Sequence, residues 1–314
     1  MKMNRKYAIG ADVGGSHIST VLVDLQRKQI IENSHSEQKV DNKASAHEIL
    51  NSWATAIKET MQHSKNDEVA GIGFAMPGPF DYKNGVALMD KSVAKYENLF
   101  GRNVGDELKE LLDLPQSMPF RYLNDALAFA VGECWIGKAA NYENVMAITL
   151  GTGFGSAFLT NGVPVIEGDR VPEKGYVYHI PYESGIADDY FSTRWFITEF
   201  EKRTRIVCNG VKEIADKASE TAEARKLFED FGTNIGEFLA PLLSTFDADC
   251  LVIGGNISGA YPLFAQSFEA ALSGNNLSVE VVISELMESA AMTGSARLLE
   301  ESFWNKLEPL VSKI

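Results

Sequence analysis

Apolar residues in the first half of the chain fall first into short runs and then into a helical spacing. Tyr7–Asp12, Ile18–Leu25 and Gln29–Ser34 read as three consecutive strands, each a β-prone run bounded by glycine or polar residues. Ala44–Gln62 places Ile49, Trp53, Ile57 and Met61 on one face and predicts an amphipathic helix. Val69–Ala75 predicts a strand that ends at the rigid turn Pro77-Gly78-Pro79. Val104–Leu112 predicts a helix, and Phe120–Asn124 a short strand leading into a helix over Ala126–Ile136.

The second half repeats the order. Val145–Leu150 and Ser156–Thr160 predict strands, followed by a broken stretch, Val163–Gly185, that contains Pro164, Pro172 and Pro181. Connections of that length are usually functional or disordered. Helices are expected over Ala187–Arg203, Gly210–Lys217 and Ala222–Phe246, then a buried strand, Leu251–Gly254, and a helix from Ala260. Val279–Ser284 and a closing helix, Ser289–Leu299, complete the pattern. No low-complexity linker divides the halves, so a junction is expected near Asn124. That gives one domain of residues 1–123 with about 297–314 and a second of residues 124–296.

In each half, the first strand runs into a glycine-rich turn bearing a hydroxyl residue: Asp12-Val13-Gly14-Gly15-Ser16 and Gly151-Thr152-Gly153-Phe154-Gly155. Glycine lets backbone N–H groups approach a ligand closely, and a concave set of N–H groups is an anion site, most often for phosphate. One such turn is weak evidence. A matched pair suggests a duplicated hairpin unit that grips a polyphosphate.

Charge and cysteines narrow the classes. The 314 residues carry a net charge of −14, which opposes binding to nucleic acid or to an anionic membrane. Cys134, Cys208 and Cys250 are odd in number and lack a CxxC pair, which excludes a disulfide framework or zinc knuckle read from spacing. No 18-residue apolar stretch is present, and the basic start, Met1–Lys6, precedes an apolar run too short for a signal peptide. A cytoplasmic protein is the expectation.

Four groups could do chemistry. Asp12, at a strand end beside Gly14 and Gly15, reads either as a partner of a phosphate-bound metal, through water, or as a turn cap. Asp125, between a strand and a helix start of small residues, reads either as an N-cap or as a general base. Gly254-Gly255 after a buried strand could admit a flat ring such as adenine, or form an ordinary turn. Glu173, Tyr176, His179, Glu183 and Asp188 are polar residues in or beside the broken stretch.

In this order, the pieces resemble the ROK (repressor/ORF/kinase) family of sugar kinases, within the actin/hexokinase/Hsp70 ATPase superfamily. The marks are Asp12-Val13-Gly14-Gly15-Ser16, Pro77-Gly78-Pro79, Asn124-Asp125-Ala126 with Gly132-Glu133, Leu150–Gly155, Glu173-Lys174-Gly175, Ile253–Asn256 and Ala291–Ala296. The resemblance spans about residues 6–300. It implies an α/β fold of two ribonuclease-H-like (actin-like ATPase) domains, each a mixed β-sheet flanked by helices, with an interdomain cleft. It implies ATP-dependent phosphorylation of a hexose or hexose derivative with Mg2+, in a glucokinase-like homodimer.

On that resemblance Asp125 is the base, Asn124, Glu173, Tyr176 and Asp188 face the sugar, and Asp12 orients Mg2+ through water. Gly14, Gly15, Ser16, Gly151, Thr152 and Gly153 hold phosphates, and Gly254 and Gly255 flank adenosine. Three departures stand out. Tyr176 replaces the family's histidine, His17 replaces a lysine after the first turn, and the cysteine motif for zinc is missing between Tyr176 and Ser192. No zinc site is therefore expected. Two alternatives remain: a sugar or nucleotide binder with weak turnover, and a sugar-responsive repressor. The repressor would need a DNA-binding module ahead of Tyr7.

Overall fold

The computed structural model describes residues 6–65, 68–93 and 95–314; the rest of the basic start, residues 1–5, lies outside them. The chain divides into two compact units, Met1–Ala140 with Glu288–Ile314, and Asn141–Met287.

The first unit contains strands β1 (Tyr7–Val13), β2 (His17–Asp24), β3 (Gln29–Ile30), β4 (Ser36–Lys39), β5 (Val69–Met76), β6 (Phe80–Asp81), β7 (Val86–Ala87) and β8 (Phe120–Asn124). Its helices are α1 (Ala46–Met61), α2 (Val104–Leu111), α3 (Asp125–Trp135), α9 (Glu288–Arg297) and α10 (Glu301–Val311). The main sheet runs β3-β2-β1-β5-β8, with β4 also on β2. β1 is antiparallel to β2 and parallel to β5, and β5 is parallel to β8.

The second unit contains β9 (Asn144–Leu150), β10 (Phe154–Thr160), β11 (Val163–Pro164), β12 (Pro181–Tyr182), β13 (Gly185–Ile186), β14 (Cys250–Gly254) and β15 (Glu280–Ile283). Its helices are α4 (Ala187–Tyr190), α5 (Thr193–Thr204), α6 (Val211–Asp216), α7 (Ala222–Phe246) and α8 (Tyr261–Gly274). The sheet order β11-β10-β9-β14-β15 and its strand directions repeat those of the first unit. Each unit is thus a mixed sheet with helices packed on it. The duplication read from the two turns is a duplication of topology.

Local sequence explains most boundaries. Ser45 caps α1 in a capping box with Glu48, and Ile49, Trp53, Ile57 and Met61 are all buried. Burying each such side chain contributes about 1.5–3 kcal/mol. Three readings are corrected. The expected helix over Ala187–Arg203 is two helices, because Phe191 turns into an aromatic cluster with Phe154, Phe231 and Phe238 at 5.4, 6.0 and 5.1 Å. The strand expected over Gln29–Ser34 stops at Ile30, and Ser34 instead hydrogen-bonds Leu22 through its hydroxyl. The junctions fall at Ala140/Asn141 and Met287/Glu288 rather than near Asn124 and residue 297. α3 and α9 pack on each other and on β5, so both helices belong to the first unit. A β-carbon at Gly294 would lie 1.8 Å from the Ala128 carbonyl oxygen, and one at Gly10 1.8 Å from that of Met292. Only bare backbone lets α9 seat this closely.

Candidate functional site

In the first unit the parallel strands β1, β5 and β8 place Asp12, Met76 and Asn124 at their carboxyl ends. Ligands in open α/β sheets bind beyond those ends. Asp12 pairs with Ala75 in β5, and Met76 with Asn124 in β8, so Asp12 and Asp125 stand two strands apart, about 10 Å by sheet spacing.

Both carboxylates are raised, chiefly by burial. Burial pushes the Asp12 carboxyl up to about 7, helped by the charges of Asp125 and of Glu288 at the start of α9. Asp125 is also raised, chiefly by the protein packed around it, while the Ala126 N–H, Lys95 and Asn124 pull the other way. Its residue nevertheless faces solvent. A carboxylate that is open to ligand yet reluctant to stay charged suits proton acceptance.

Capping falls to Asn124, not Asp125. The Asn124 side-chain oxygen accepts from the N–H groups of Ala126 and Leu127 at 3.1 and 3.3 Å. Its amide nitrogen donates to Asp125 Oδ1 at 2.9 Å and to the Tyr82 hydroxyl at 3.4 Å. Asn124 is buried, and its polar atoms are engaged with the protein itself. It therefore holds Asp125 in place: Asp125 Oδ1 accepts from Asn124 and from the Ala126 N–H at 2.9 Å each, and Oδ2 has no partner among the described residues. The cap reading of Asp125 falls away.

The first glycine turn is closed by the Gly14 N–H donating to the His17 carbonyl at 2.9 Å. The Tyr96 hydroxyl donates to the Gly14 carbonyl at 2.6 Å, and the Asn42 side chain donates to the Gly15 carbonyl. Among the described residues the N–H groups of Gly15 and Ser16 have no acceptor. Ser16 is exposed, and its hydroxyl shares a 3.3 Å contact with His17 Nδ1. Lys95 lies across Gly15, where a β-carbon would sit 3.5 Å from its Cε and 3.7 Å from its Nζ.

The second turn is built alike. The Gly151 N–H donates to the Gly153 carbonyl at 3.1 Å, leaving the N–H groups of Thr152 and Gly153 without an acceptor among the described residues. Thr193 fastens the turn from below, its N–H and hydroxyl reaching the Gly151 carbonyl at 2.8 and 2.9 Å. A β-carbon at Gly151 would meet nothing within 4 Å. Gly254 pairs with Thr149 at the sheet edge of this turn, and Gly255 at φ +80° packs on Leu150. A β-carbon at Gly255 would lie 2.4 Å from the Leu150 carbonyl oxygen, so the fold alone accounts for that glycine.

Both side-chain oxygens of Asp188, expected to face the sugar, have partners within the protein. Its Oδ1 accepts the Phe154 N–H at 2.7 Å and its Oδ2 pairs with Arg194 at 3.2 Å, which makes it a brace of the second turn. Glu173 is exposed and Tyr176 half-buried. Buried Ser156 binds that segment to β10, donating to the Gly175 carbonyl at 2.7 Å and accepting the Val177 N–H at 3.0 Å. The Tyr176 ring lies 5.9 Å from that of Tyr178, which in turn meets His179 edge-on at 5.1 Å. Of the predicted residues, Asp12, Gly14, Gly15, Ser16, Asn124 and Asp125 gather in the first unit. Gly151, Thr152, Gly153, Gly254, Gly255 and Asp188 gather in the second, and Glu173 and Tyr176 are attached through Ser156.

Lys95, Tyr96, Asn42, Ser156 and Thr193 were missed, because each reaches the site through tertiary contact without a local motif. Cys134, Cys208 and Cys250 form no disulfide. Among the described residues no cluster of three His, Cys, Asp or Glu side chains could hold a metal ion. No helix among them is long and apolar enough to cross a membrane.

The sequence model of the ROK family matches residues 8–302. The chain is 24% identical to a glucokinase of Thermotoga maritima, over 93% of this chain and 97% of that one. It is also 24% identical to a xylose repressor of Bacillus spizizenii, over 95% of this chain and 78% of that one. Its structure superposes with a TM-score of 0.73 and 22% identity on a ROK family glucokinase from Streptomyces griseus in complex with glucose and AMPPNP, covering 94% of this chain and 99% of that one. At that identity the likeness establishes the fold, that of the actin-like ATPases.

Proposed function

The chain belongs to the ROK family, and from that premise we propose that it is an ATP-dependent sugar kinase acting on a hydroxyl of a hexose or hexose derivative. The observation that carries the reading is Asp125: a solvent-facing carboxylate, raised in pKa, held by Asn124 and the Ala126 N–H through one oxygen only among the described residues. A pure binder has no need of such a group.

In the proposed reaction Asp125 accepts the proton of the sugar hydroxyl as its oxygen attacks the terminal phosphorus of ATP. Asn124 holds Asp125 in line. The open N–H groups of Gly15, Ser16, Thr152 and Gly153 bind phosphate oxygens, while Gly14 and Gly151 shape the turns. Gly254 and Gly255 flank the adenosine, and Glu173 and Tyr176 face the sugar, with Asp188 bracing the second turn. Burial, with the charges of Asp125 and Glu288 beside it, raises the Asp12 carboxyl to about 7, and a divalent cation would offset both costs. Mg2+ held there through water would offset phosphate charge. A cytoplasmic homodimer completes the proposal, the compartment supported by three cysteines without a disulfide.

ADP release across a panel of hexoses, with and without Mg2+, tests it. The expected outcome is release that requires one sugar class and the metal. Sugar binding without sugar-dependent release would leave a binder instead. The similarity to the xylose repressor shows that family membership alone does not separate kinase from repressor; the net charge of −14 favours the kinase, and a gel shift at low salt checks it.

A further inference from the structure

Lys95 is placed against the first glycine turn by contact with Gly15. It is solvent-exposed and forms no ion pair with a described residue. The contrast with the second turn is direct, where Arg194 is drawn to Asp188 and Asp189 at 3.2 and 3.5 Å.

The placement of Lys95 is built. Tyr96, the next residue, is fully buried and takes the left-handed conformation at φ +55°. Its ring meets Trp53 edge-on at 5.5 Å, its N–H donates to the Asn42 carbonyl at 3.0 Å, and its hydroxyl closes on Gly14. Asn98 adds bonds to the carbonyls of Lys43 and Ala44 at 3.1 and 2.8 Å. Asn42, in turn, donates to Gly15. One network therefore locks both the turn and the residue that carries Lys95 to it. The Lys95 side chain packs against Gly15, and in the same turn the N–H groups of Gly15 and Ser16 have no acceptor among the described residues. A cation with no ion-pair partner among the described residues, packed on a turn with open backbone donors, makes an anion site.

We propose that Lys95 is a further catalytic residue of this chain: its ammonium binds the terminal phosphoryl group of the nucleoside triphosphate over Gly15 and Ser16, and keeps that contact as the group passes to the sugar oxygen. The proposal rests on the kinase reading above. In the transfer, a bond forms from the sugar oxygen to phosphorus, and the bond from phosphorus to the bridging oxygen breaks. That electron pair leaves with ADP, and the hydroxyl proton goes to Asp125. Lys95 neither gains nor loses a proton. It offsets charge on the moving group, as point-charge lysines do at phosphates. It also stands near enough to Asp125 to lower that carboxyl, so one ammonium serves both the phosphate and the base.

The test uses the full chain with Lys95→Gln and Lys95→Arg. Lys95→Gln is expected to lower kcat/KM for ATP about 10- to 100-fold, the worth of one charge-assisted hydrogen bond, with sugar affinity unchanged within about twofold. The acid limb of its pH–rate profile should move to higher pH, because Asp125 loses a nearby cation. Lys95→Arg should recover most of the loss. An acid limb that stays put, or kcat/KM within about threefold of the parent, would overturn the proposal. Tripolyphosphate affinity, measured by calorimetry without sugar, separates this idea from the kinase reading. If the parent chain released no ADP with any sugar, the kinase reading would fall and the catalytic role of Lys95 with it. A Lys95-dependent tripolyphosphate affinity would then leave an anion site alone. Equal affinity in parent and Lys95→Gln would remove the site as well.

Discussion

The two glycine turns have the same construction and unlike surroundings. Each ends the first strand of a sheet whose five main strands share one order, each closes on its own N–H to carbonyl bond, and each leaves two N–H groups without an acceptor among the described residues. Around the first turn stand Asp12, whose carboxyl is raised by burial and then by the charges of Asp125 and Glu288, and Lys95, which has no ion-pair partner among the described residues. Around the second, charge is neutralised locally: Asp188 is held by Phe154 and Arg194, and Thr193 closes the base of the turn. A duplicated scaffold has thus diverged in electrostatics as well as in the span of its turn, Gly14 to His17 against Gly151 to Gly153. The first copy keeps two carboxyls raised, as the proposed proton transfer at Asp125 and metal site at Asp12 would need. The second is relaxed, the condition for holding a ligand still.

Asp125→Asn is the sharpest way to break this contrast. It preserves the bond from Asn124 and the helix, so the fold should survive, while sugar-dependent ADP release falls about 10²- to 10⁴-fold. Retained turnover would mean that the raised Asp125 carboxyl has no chemical purpose.

The raised Asp12 carboxyl should also be visible in stability. A carboxyl raised in the folded state favours its protonated form, so stability is highest below the unfolded value and declines as pH rises towards the folded one. For Asp12 that window runs from about 4 to about 7. Asp12→Asn is expected to stabilise the metal-free protein by about 1–3 kcal/mol at pH 8, with the gain vanishing below about pH 4. Denaturant melts at several pH values measure it. A gain that did not depend on pH would remove the ionised carboxylate as its cause.

How much of this was legible beforehand follows from what each residue obeys. α7 over Ala222–Phe246 and β8 over Phe120–Asn124 were readable because periodicity and length decide them locally. Asp12 and Asp125 were readable because a strand end followed by glycine or by a helix start is a sequence pattern. The break at Phe191 and Ser192 was hidden, because a distant aromatic cluster overrides an unbroken helical spacing. Asp188 and Lys95 were hidden for the same reason. The one was assigned to sugar by its neighbours in sequence, yet its oxygens turn to Phe154 and Arg194; the other sits in a segment with no motif, and only the burial of Tyr96 shows where it points.

Gly151→Ala sharpens the comparison from the other side. With nothing within 4 Å of the new methyl group, the fold has no reason to respond, and the melting temperature should stay within about 2 °C. Phosphate oxygens brought to the Thr152 and Gly153 N–H groups would meet it, so the KM for ATP should rise about tenfold, a steric loss near 1.4 kcal/mol. An unchanged KM would mean that the second turn binds no phosphate.

The smallest effect belongs to Asp188→Asn. The amide can still accept from Phe154, and the pair with Arg194 is largely exposed and so of little worth, about 0–1 kcal/mol. What is lost is the charge on a bond that steadies the Gly151–Gly153 turn. The KM for ATP should rise about threefold, with sugar KM and the acid limb of the pH profile unmoved, as expected of a brace in the relaxed copy. A sugar KM that rose more than the ATP KM would return Asp188 to the sugar, and would show that the second copy is not merely a holder of phosphate.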